Sequence, residues 1–170
     1  MKRWVCIFGI DGFVICFVYL LWWWFSPATT VILVRHAERL NASDTTSLSA
    51  AGLRRADTLA HVVGSAGITR IFVTDRVRTQ QTAAPTAAAL GLTPVVLAVH
   101  DTNGVVDSIH AHRGELMLLV GHSDTLPIIM RKLGITPPPT IAMSAFDNLF
   151  VVTFWRWRTT LTHLKYGPKS

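Results

Sequence analysis

The stretch that decides the fold is Thr30-Val31-Ile32-Leu33-Val34-Arg35-His36. Its first five residues form a continuous apolar, β-branched run, the pattern of a strand buried on both faces of a sheet. Its last two carry a guanidinium and an imidazole, so the strand delivers polar chemistry where it ends.

The same alternation continues downstream. Ser47 to Ala66 predicts a helix, with Ser49 as N-cap, Leu53, Leu59 and Val63 as its apolar stripe, and Gly67 as its stop. Ile71-Phe72-Val73 is a second short buried strand. Arg78 to Leu90 predicts an alanine-rich helix ended by Gly91, with Pro85 as the place for a kink. Pro94 to Val99 is a third strand, Val105 to His112 a helix, and Leu116 to Val120 a fourth strand. Leu126 to Leu133 is a short helix stopped by Gly134 and by Pro137, Pro138 and Pro139. Leu149 to Phe154 and Thr159 to Lys165 are two last strands, suited to a hairpin. Strands alternating with helices predict an α/β fold, a three-layer α/β/α sandwich with a mostly parallel sheet. Ligands in such folds bind beyond the carboxyl ends of the strands. Arg35-His36 follows the first strand, Thr74 to Arg78 the second, His100-Asp101 the third and His122 the fourth.

Upstream of the first strand lies a different kind of segment. From Trp4 to Phe25 nearly every residue is apolar, and Asp11 is the only charge. At a rise of about 1.5 Å per residue this run makes roughly 33 Å of helix, enough to cross a bilayer core. Lys2 and Arg3 precede it, which by the positive-inside rule puts the N-terminus in the cytoplasm. Trp22, Trp23 and Trp24 stand where an interfacial aromatic belt lies. The expectation is an N-terminal transmembrane helix over residues 4–25, single-pass, with the remaining domain on the periplasmic or extracellular side. The rival readings are a cleaved signal peptide, a buried soluble helix and a misassigned start. Ser26-Pro27-Ala28 loosely fits a cleavage site, but signal peptides carry a shorter apolar run, about 7–15 residues. Asp11 opposes the anchor by about 2.5–3.5 kcal/mol at mid-bilayer.

The remaining chain, about 140 residues, is the size of one domain with a single core. Lys and Arg together number 16 against 10 Asp and Glu, a net charge of +6. That excess suits an anionic ligand or an anionic membrane surface. The chain lacks the Lys-rich runs or aromatic-basic interleaving of a nucleic-acid binder, so no nucleic acid is expected as partner. Both cysteines, Cys6 and Cys16, fall in the apolar segment. The domain has none, and tolerates an oxidising compartment.

Two histidines and two arginines at one sheet edge suit a tetrahedral oxyanion. Arginine offers phosphate oxygens a planar fork and stays charged. A neutral imidazole can attack phosphorus, and a protonated one can hold an oxygen. Gly121 lets the backbone come close to a bound anion. The helix beginning near Leu126 offers its N-terminus to negative charge. His100, His110 and His112 match no familiar metal-ligand spacing and read as surface residues. Trp155-Arg156-Trp157-Arg158 alternates with strand period, which reads as core packing.

The motifs carry a resemblance. Val34-Arg35-His36-Ala37-Glu38 resembles the Arg-His-Gly/Ala signature of the histidine phosphatase superfamily, also called the phosphoglycerate mutase-like family. Leu48-Ser49-Ala50-Ala51-Gly52-Leu53-Arg54-Arg55-Ala56 resembles its Leu-Ser/Thr-x-x-Gly-x-x-x-Ala helix start. Thr74-Asp75-Arg76-Val77-Arg78-Thr79-Gln80-Gln81-Thr82-Ala83 resembles its Ser-x-x-x-Arg-x-x-Gln-Thr-Ala segment. Val120-Gly121-His122-Ser123-Asp124-Thr125-Leu126-Pro127 resembles the second-histidine segment of small bacterial members, often Gly-His-Ser-Asn-Thr-x-Pro. Phe146-Asp147-Asn148-Leu149-Phe150 resembles a late segment of the same members. The likeness spans roughly residues 30–165, four motifs and a late segment in one order.

The apolar run makes residues 1–28 an anchor or uncleaved signal segment, and the resemblance implies a histidine phosphatase domain over residues 29–170. It implies hydrolysis of a phosphomonoester or phosphoanhydride, with His36 as nucleophile through a phosphohistidine, and Arg35, Arg78 and His122 binding the phosphate. It implies no metal and no other cofactor. The partner is then a phosphorylated small molecule or, given the short linker to the apolar segment, a lipid-linked phosphate. The leaving-group acid is open. Larger members place a glutamate after the third strand; here Asp101 is the nearest substitute by position, with Asp107 and Asp147 behind it. Asp101 reads equally as a turn residue or helix cap. Two other functions compete: a catalytically idle, membrane-tethered phosphate-binding module, and a mutase-type phosphotransferase, for whose capping loops this chain leaves little room.

Overall fold

The computed structural model describes residues 12, 14–19, 21, 27–43, 45–156 and 158–169. The strand that opened the sequence argument, β1 (Thr29–Arg35), lies inside the sheet. Its continuous apolar run is used on both faces. Val31 and Leu33 enter one core while Ile32 and Val34 enter the other, following the two-residue period of a strand.

The remaining elements follow in alternation: α1 (Ala50–Val63), β2 (Arg70–Thr74), α2 (Val77–Leu90), β3 (Val95–Leu97), α3 (Thr102–Ala111), β4 (Leu116–Gly121), α4 (Thr125–Lys132), β5 (Asn148–Trp155) and β6 (Arg158–Lys165). The sheet order is β3-β2-β4-β1-β5-β6. The pairings β1–β4, β2–β4 and β2–β3 are parallel; β1–β5 and β5–β6 are antiparallel. Only β5 therefore runs against the others. The last two strands form the expected hairpin, and its turn replaces the alternation expected across Trp155 to Arg158: Arg156 there has a φ of 57° and lies over the Trp155 ring. Trp157 is outside the described residues.

Helices cover both faces, giving the expected three layers. Leu59 and Val63 of α1 and Ala83 and Ala87 of α2 pack with Ile32, Val34, Ile71, Val73, Leu118 and Val120. Val105, Val106 and Ile109 of α3 and Leu126, Ile129 and Met130 of α4 pack with Val31, Leu33, Phe72, Met117 and Leu119. Burying each of the Val, Leu, Ile, Phe and Met side chains among these stabilises the fold by about 1.5–3 kcal/mol.

Local signals set the helix ends. Ser49 caps α1 as expected, its Oγ accepting from the Gly52 amide at 3.1 Å. Gly91 ends α2 in the left-handed conformation, with a φ of 64°. The stripe of α1 differs from expectation. Leu53 is 50% exposed, and the buried positions are Gly52, Arg55, Ala56, Leu59 and Val63. The helix begins later than its apolar spacing suggested, and Arg55 takes a buried place no hydrophobic pattern would give it.

The N-terminal expectation is corrected. Among the described residues no helix is long and apolar enough to cross a membrane. A span needs about 20 consecutive apolar helical residues. The longest helices among the described residues, α1 and α2, have 14 residues each and are amphipathic or alanine-rich. The transmembrane helix over residues 4–25, and the single-pass placement of the domain on the periplasmic or extracellular side, are therefore not retained. Residues 1–11, 13, 20 and 22–26, including Cys6, Asp11 and the Trp22–Trp24 belt, lie outside the described residues.

The topology also says where a ligand belongs. β1 and β4 are parallel neighbours with Arg35 opposite Gly121 in register. The helix after β1 covers one face of the sheet and the helix after β4 covers the other. Such neighbours leave a crevice at their carboxyl ends, the switch point of an open α/β sheet.

Candidate active site

His36 and His122 stand on the two sides of that crevice, each one residue beyond its strand. Their ring centroids are 5.3 Å apart, and both side chains are buried. The backbone joins them, since the His36 amide donates to the Gly121 carbonyl at 3.0 Å. Gly121 has a packing reason of its own: a Cβ there would lie 2.8 Å from Leu126 Cδ2. The close approach that excludes a side chain is thus to the helix α4, not only to a ligand.

The tautomer of His36 is fixed by its neighbour. Nδ1 lies 2.8 Å from the Ala37 carbonyl. A carbonyl can only accept, so Nδ1 carries the hydrogen and Nε2 keeps its lone pair. Desolvation by burial pushes the His36 pKa down to about 3, and the charges of Arg35 and Arg78 and neighbouring His122 push the same way against the Ala37 hydrogen bond. The ring is neutral throughout the physiological range, with the Nε2 lone pair available.

The loop after β1 is held from three sides. The Ala37 amide donates to Thr82 Oγ1 at 3.0 Å, and Thr82 Oγ1 donates to the Arg78 carbonyl at 2.7 Å. The Ser49 amide donates to the Glu38 carbonyl at 2.9 Å. A Cβ at Gly52 would sit 2.2 Å from that same carbonyl, which is why α1 must start with glycine there. Gln81 Oε1 accepts from the Leu48 amide at 2.8 Å. The Gln-Thr pair of the α2 motif therefore ties the helix to both ends of the β1–α1 loop.

His122 is oriented by hydroxyls that the sequence reasoning missed. Its Nε2 is 3.0 Å from Thr74 Oγ1, which is 2.9 Å from Thr79 Oγ1. Thr79 donates its one hydrogen to the Arg76 carbonyl at 2.8 Å or the Thr74 carbonyl at 3.1 Å. It must then accept from Thr74, whose own hydrogen is spent, so His122 Nε2–H donates to Thr74. Nδ1 is left for an incoming oxygen. Burial and the Arg78 charge lower the His122 pKa to about 4, with Asp124 opposing them. Negative charge brought beside this ring would draw a proton onto it.

The two arginines differ in their settings. Arg35 Nη1 donates to the carbonyls of Ala142, Met143 and Ala145 at 3.1, 2.6 and 3.4 Å, and its guanidinium lies 4.2 Å from the Phe146 ring centroid. Its Nε is buried without a hydrogen-bond partner, a donor left for a ligand. Burial and the Arg39 and Arg78 charges lower the Arg35 pKa to about 10, leaving it charged near neutrality. Arg78, in the first turn of α2, is buried, and its charge depresses Arg35, His36 and His122 alike. Phe146 completes the wall, 6.0 Å from His36 between ring centroids.

The carboxylates are arranged differently. Asp101 is exposed and caps α3, its Oδ1 accepting from the Gly104 amide at 2.8 Å. It makes no hydrogen bond or ion pair with His36, Arg35, Arg78 or His122. Glu38 is close in sequence but held in the Arg55 fork at 2.7 Å. Desolvation pushes its pKa up, yet the Arg55 hydrogen bonds prevail and hold it below the usual carboxylate range. Asp124, which caps α4 at Thr125, is the acidic group whose charge acts on both Arg35 and His122.

A model of the histidine phosphatase superfamily (branch 1) matches residues 31–99, which carry the Arg35-His36 strand end and the Arg78 helix. Over that stretch the chain is similar to the histidine phosphatase superfamily. Solved structures of histidine phosphatases share the fold. The protein histidine phosphatase SixA complexed with tungstate is 21% identical, with a TM-score of 0.64 over 80% of this chain and 96% of that one. A protein from Agrobacterium tumefaciens described as the putative phosphohistidine phosphatase SixA is 22% identical, with a TM-score of 0.57 over 80% of this chain and 97% of that one. A mycobacterial glucosyl-3-phosphoglycerate phosphatase in complex with inorganic phosphate is 14% identical, with a TM-score of 0.64 over 79% and 95%. At these identities the likeness is one of fold. No curated relative matches the sequence.

Proposed function

We propose that the chain hydrolyses a phosphomonoester or phosphoanhydride, without a metal, through a phosphohistidine at His36. The observation that carries this reading is the His36 ring: neutral, with Nδ1–H donated to the Ala37 carbonyl and Nε2 free, facing His122 in a crevice with two arginines. Nε2 attacks phosphorus, the phosphorus–leaving-group bond breaks, and the leaving group departs with the electron pair. Water then cleaves the nitrogen–phosphorus bond, which returns neutral His36 and inorganic phosphate. Arg35, Arg78 and protonated His122 hold the oxygens on which charge builds, the service a metal ion gives elsewhere.

The acid groups narrow the substrate. Glu38 stays ionised in its ion pair, and Asp101 is spent on a helix cap. Neither suits protonation of a poor leaving group. The reading therefore favours phosphoanhydrides and other substrates with good leaving groups, such as phosphohistidine or an acyl phosphate. The case for a lipid-linked phosphate rested on the membrane tether and lapses with it.

The test is turnover of a generic aryl phosphate together with trapping of the phosphoenzyme in base, where phosphohistidine survives. Wild-type protein is expected to do both and His36→Ala neither. Wild-type-like turnover by His36→Ala would overturn the mechanism, and phosphate binding with neither turnover nor trapping would make the chain an idle binding module.

A further inference from the structure

The contacts that fix the site continue beyond it. Arg55 on α1 is 3% exposed, and all three guanidinium nitrogens are engaged. Nε donates to both Glu38 carboxylate oxygens at 2.9 and 3.0 Å, and Nη2 to Glu38 Oε1 at 2.7 Å. Nη1 donates to the Tyr166 carbonyl at 3.0 Å and Nη2 to the Pro168 carbonyl at 2.9 Å. The segment beyond β6 also reaches the opposite wall. Lys165 Nζ donates to Asp147 Oδ1 at 2.8 Å and to Asn148 Oδ1 at 2.7 Å, and the Tyr166 amide donates to the Asp147 carbonyl at 2.9 Å. Asp147 is buried and directly follows Phe146, the ring that flanks both His36 and Arg35.

We propose that Arg55 and the segment Lys165–Pro168 form one strut that positions the His36 loop and the Phe146 wall relative to each other. Glu38 is the joint. Its carboxylate is held by Arg55, and its peptide bond to Ala37 carries the carbonyl that orients His36 Nδ1. A shift of Glu38 moves that carbonyl and with it the direction of the Nε2 lone pair. A buried ion pair is a weak source of net stability, so the forked geometry is what the arrangement supplies. Arg55 is thus a positioning residue, acting on the reaction through Glu38 and Ala37. The inference rests on the reading of His36 as nucleophile.

The deciding variant is Arg55→Lys, which keeps the charge and loses the planar fork. A displacement of the nucleophile by about 1 Å is expected to lower kcat on the order of 10²-fold. Affinity for inorganic phosphate is expected to stay the same, because Arg35, Arg78 and His122 make no bond to Arg55. Nitrogen NMR of His36 is expected to show loss of the dominant Nδ1–H tautomer. A chain ending at Lys165 keeps the Glu38 pair but loses two carbonyl partners, and is expected to change in the same direction by less. Ile109→Val, in the core under the opposite face, controls for lost stability and is expected to keep kcat. Parental kcat and tautomer in a folded Arg55→Lys protein overturn the strut, as does an equal kcat loss in Ile109→Val. If the parent shows no turnover, the phosphatase reading fails by itself, and the His36 tautomer still decides the strut.

Discussion

The ends of β1 and β4 and the end of β3 are the same kind of place, the carboxyl edge of a parallel strand, yet they are built differently. β1 and β4 are interior strands with helices leaving on opposite faces, and His36 and His122 enter a buried crevice. β3 has three residues at the sheet edge, Val95 and Val96 are 42% and 53% exposed, and Asp101 beyond it faces solvent. Position after a strand therefore does not by itself make a site. An imidazole becomes a nucleophile where neighbours remove water and fix its hydrogen, and the interior strands supply both.

The sharpest way to break this contrast is to empty the buried side. His36→Ala is expected to lower turnover at least about 10³-fold, since a nucleophile has no substitute in a covalent mechanism. Turnover of an aryl phosphate against pH measures it.

A second consequence of burial appears in stability. His36 and His122 have folded pKa values of about 3 and 4 against an ordinary 6.5. Between those values and 6.5 the unfolded chain binds more protons than the folded one. The stability from neutral, buried rings is then fully present above about pH 6.5 and is lost as pH falls toward 4, at about 1.4 kcal/mol per unit for each ring. Urea titrations across that range are expected to show the decline, and His36→Ala is expected to flatten it. Equal slopes in the two proteins would place the acid sensitivity elsewhere.

Thr74→Val probes the hydroxyl chain behind His122. It leaves a buried Nε2–H without an acceptor, a penalty of about 1–3 kcal/mol. If half of this falls on the oriented, phosphate-bound state, kcat/KM drops about two- to tenfold. Kinetics of Thr74→Val beside Thr74→Ser, which restores the oxygen, test it; failure of Ser to rescue would remove Thr74 from the role.

Much of this was legible in the sequence, for physical reasons. Period and glycine punctuation specify strands and helices locally, so β1, β4 and the Gly91 stop were readable. Arg35, His36, Arg78 and His122 announced themselves because each sits in a motif after a strand. Thr74, Thr79 and Phe146 did not stand out, since a hydroxyl or an aromatic ring gains a role only from a partner distant in sequence. Arg55 was hidden for the same reason: its partners are Glu38, Tyr166 and Pro168, and a charged residue on a helix ordinarily reads as surface. The N-terminal reading relied on apolar length, the preceding Lys2 and Arg3 and the Trp22–Trp24 belt, all local signals with no long-range contact to test them.

The smallest expected effect lies on the exposed side of the comparison. Asp101 accepts from the Gly104 amide as the cap of α3, and an Ala at a cap costs about 0.5–2 kcal/mol. Asp101→Ala is therefore expected to lower the melting temperature by a few degrees and to leave kcat where it was. Asp101→Asn, which can still cap but cannot donate a carboxylic proton, separates the two roles directly. If both variants lose kcat while Asn keeps the stability, Asp101 carries the proton to the leaving group after all, reaching the crevice only when substrate is bound. If Asn matches the parent in both measurements, the edge of β3 contributes a helix cap and the chemistry belongs to β1, β2 and β4.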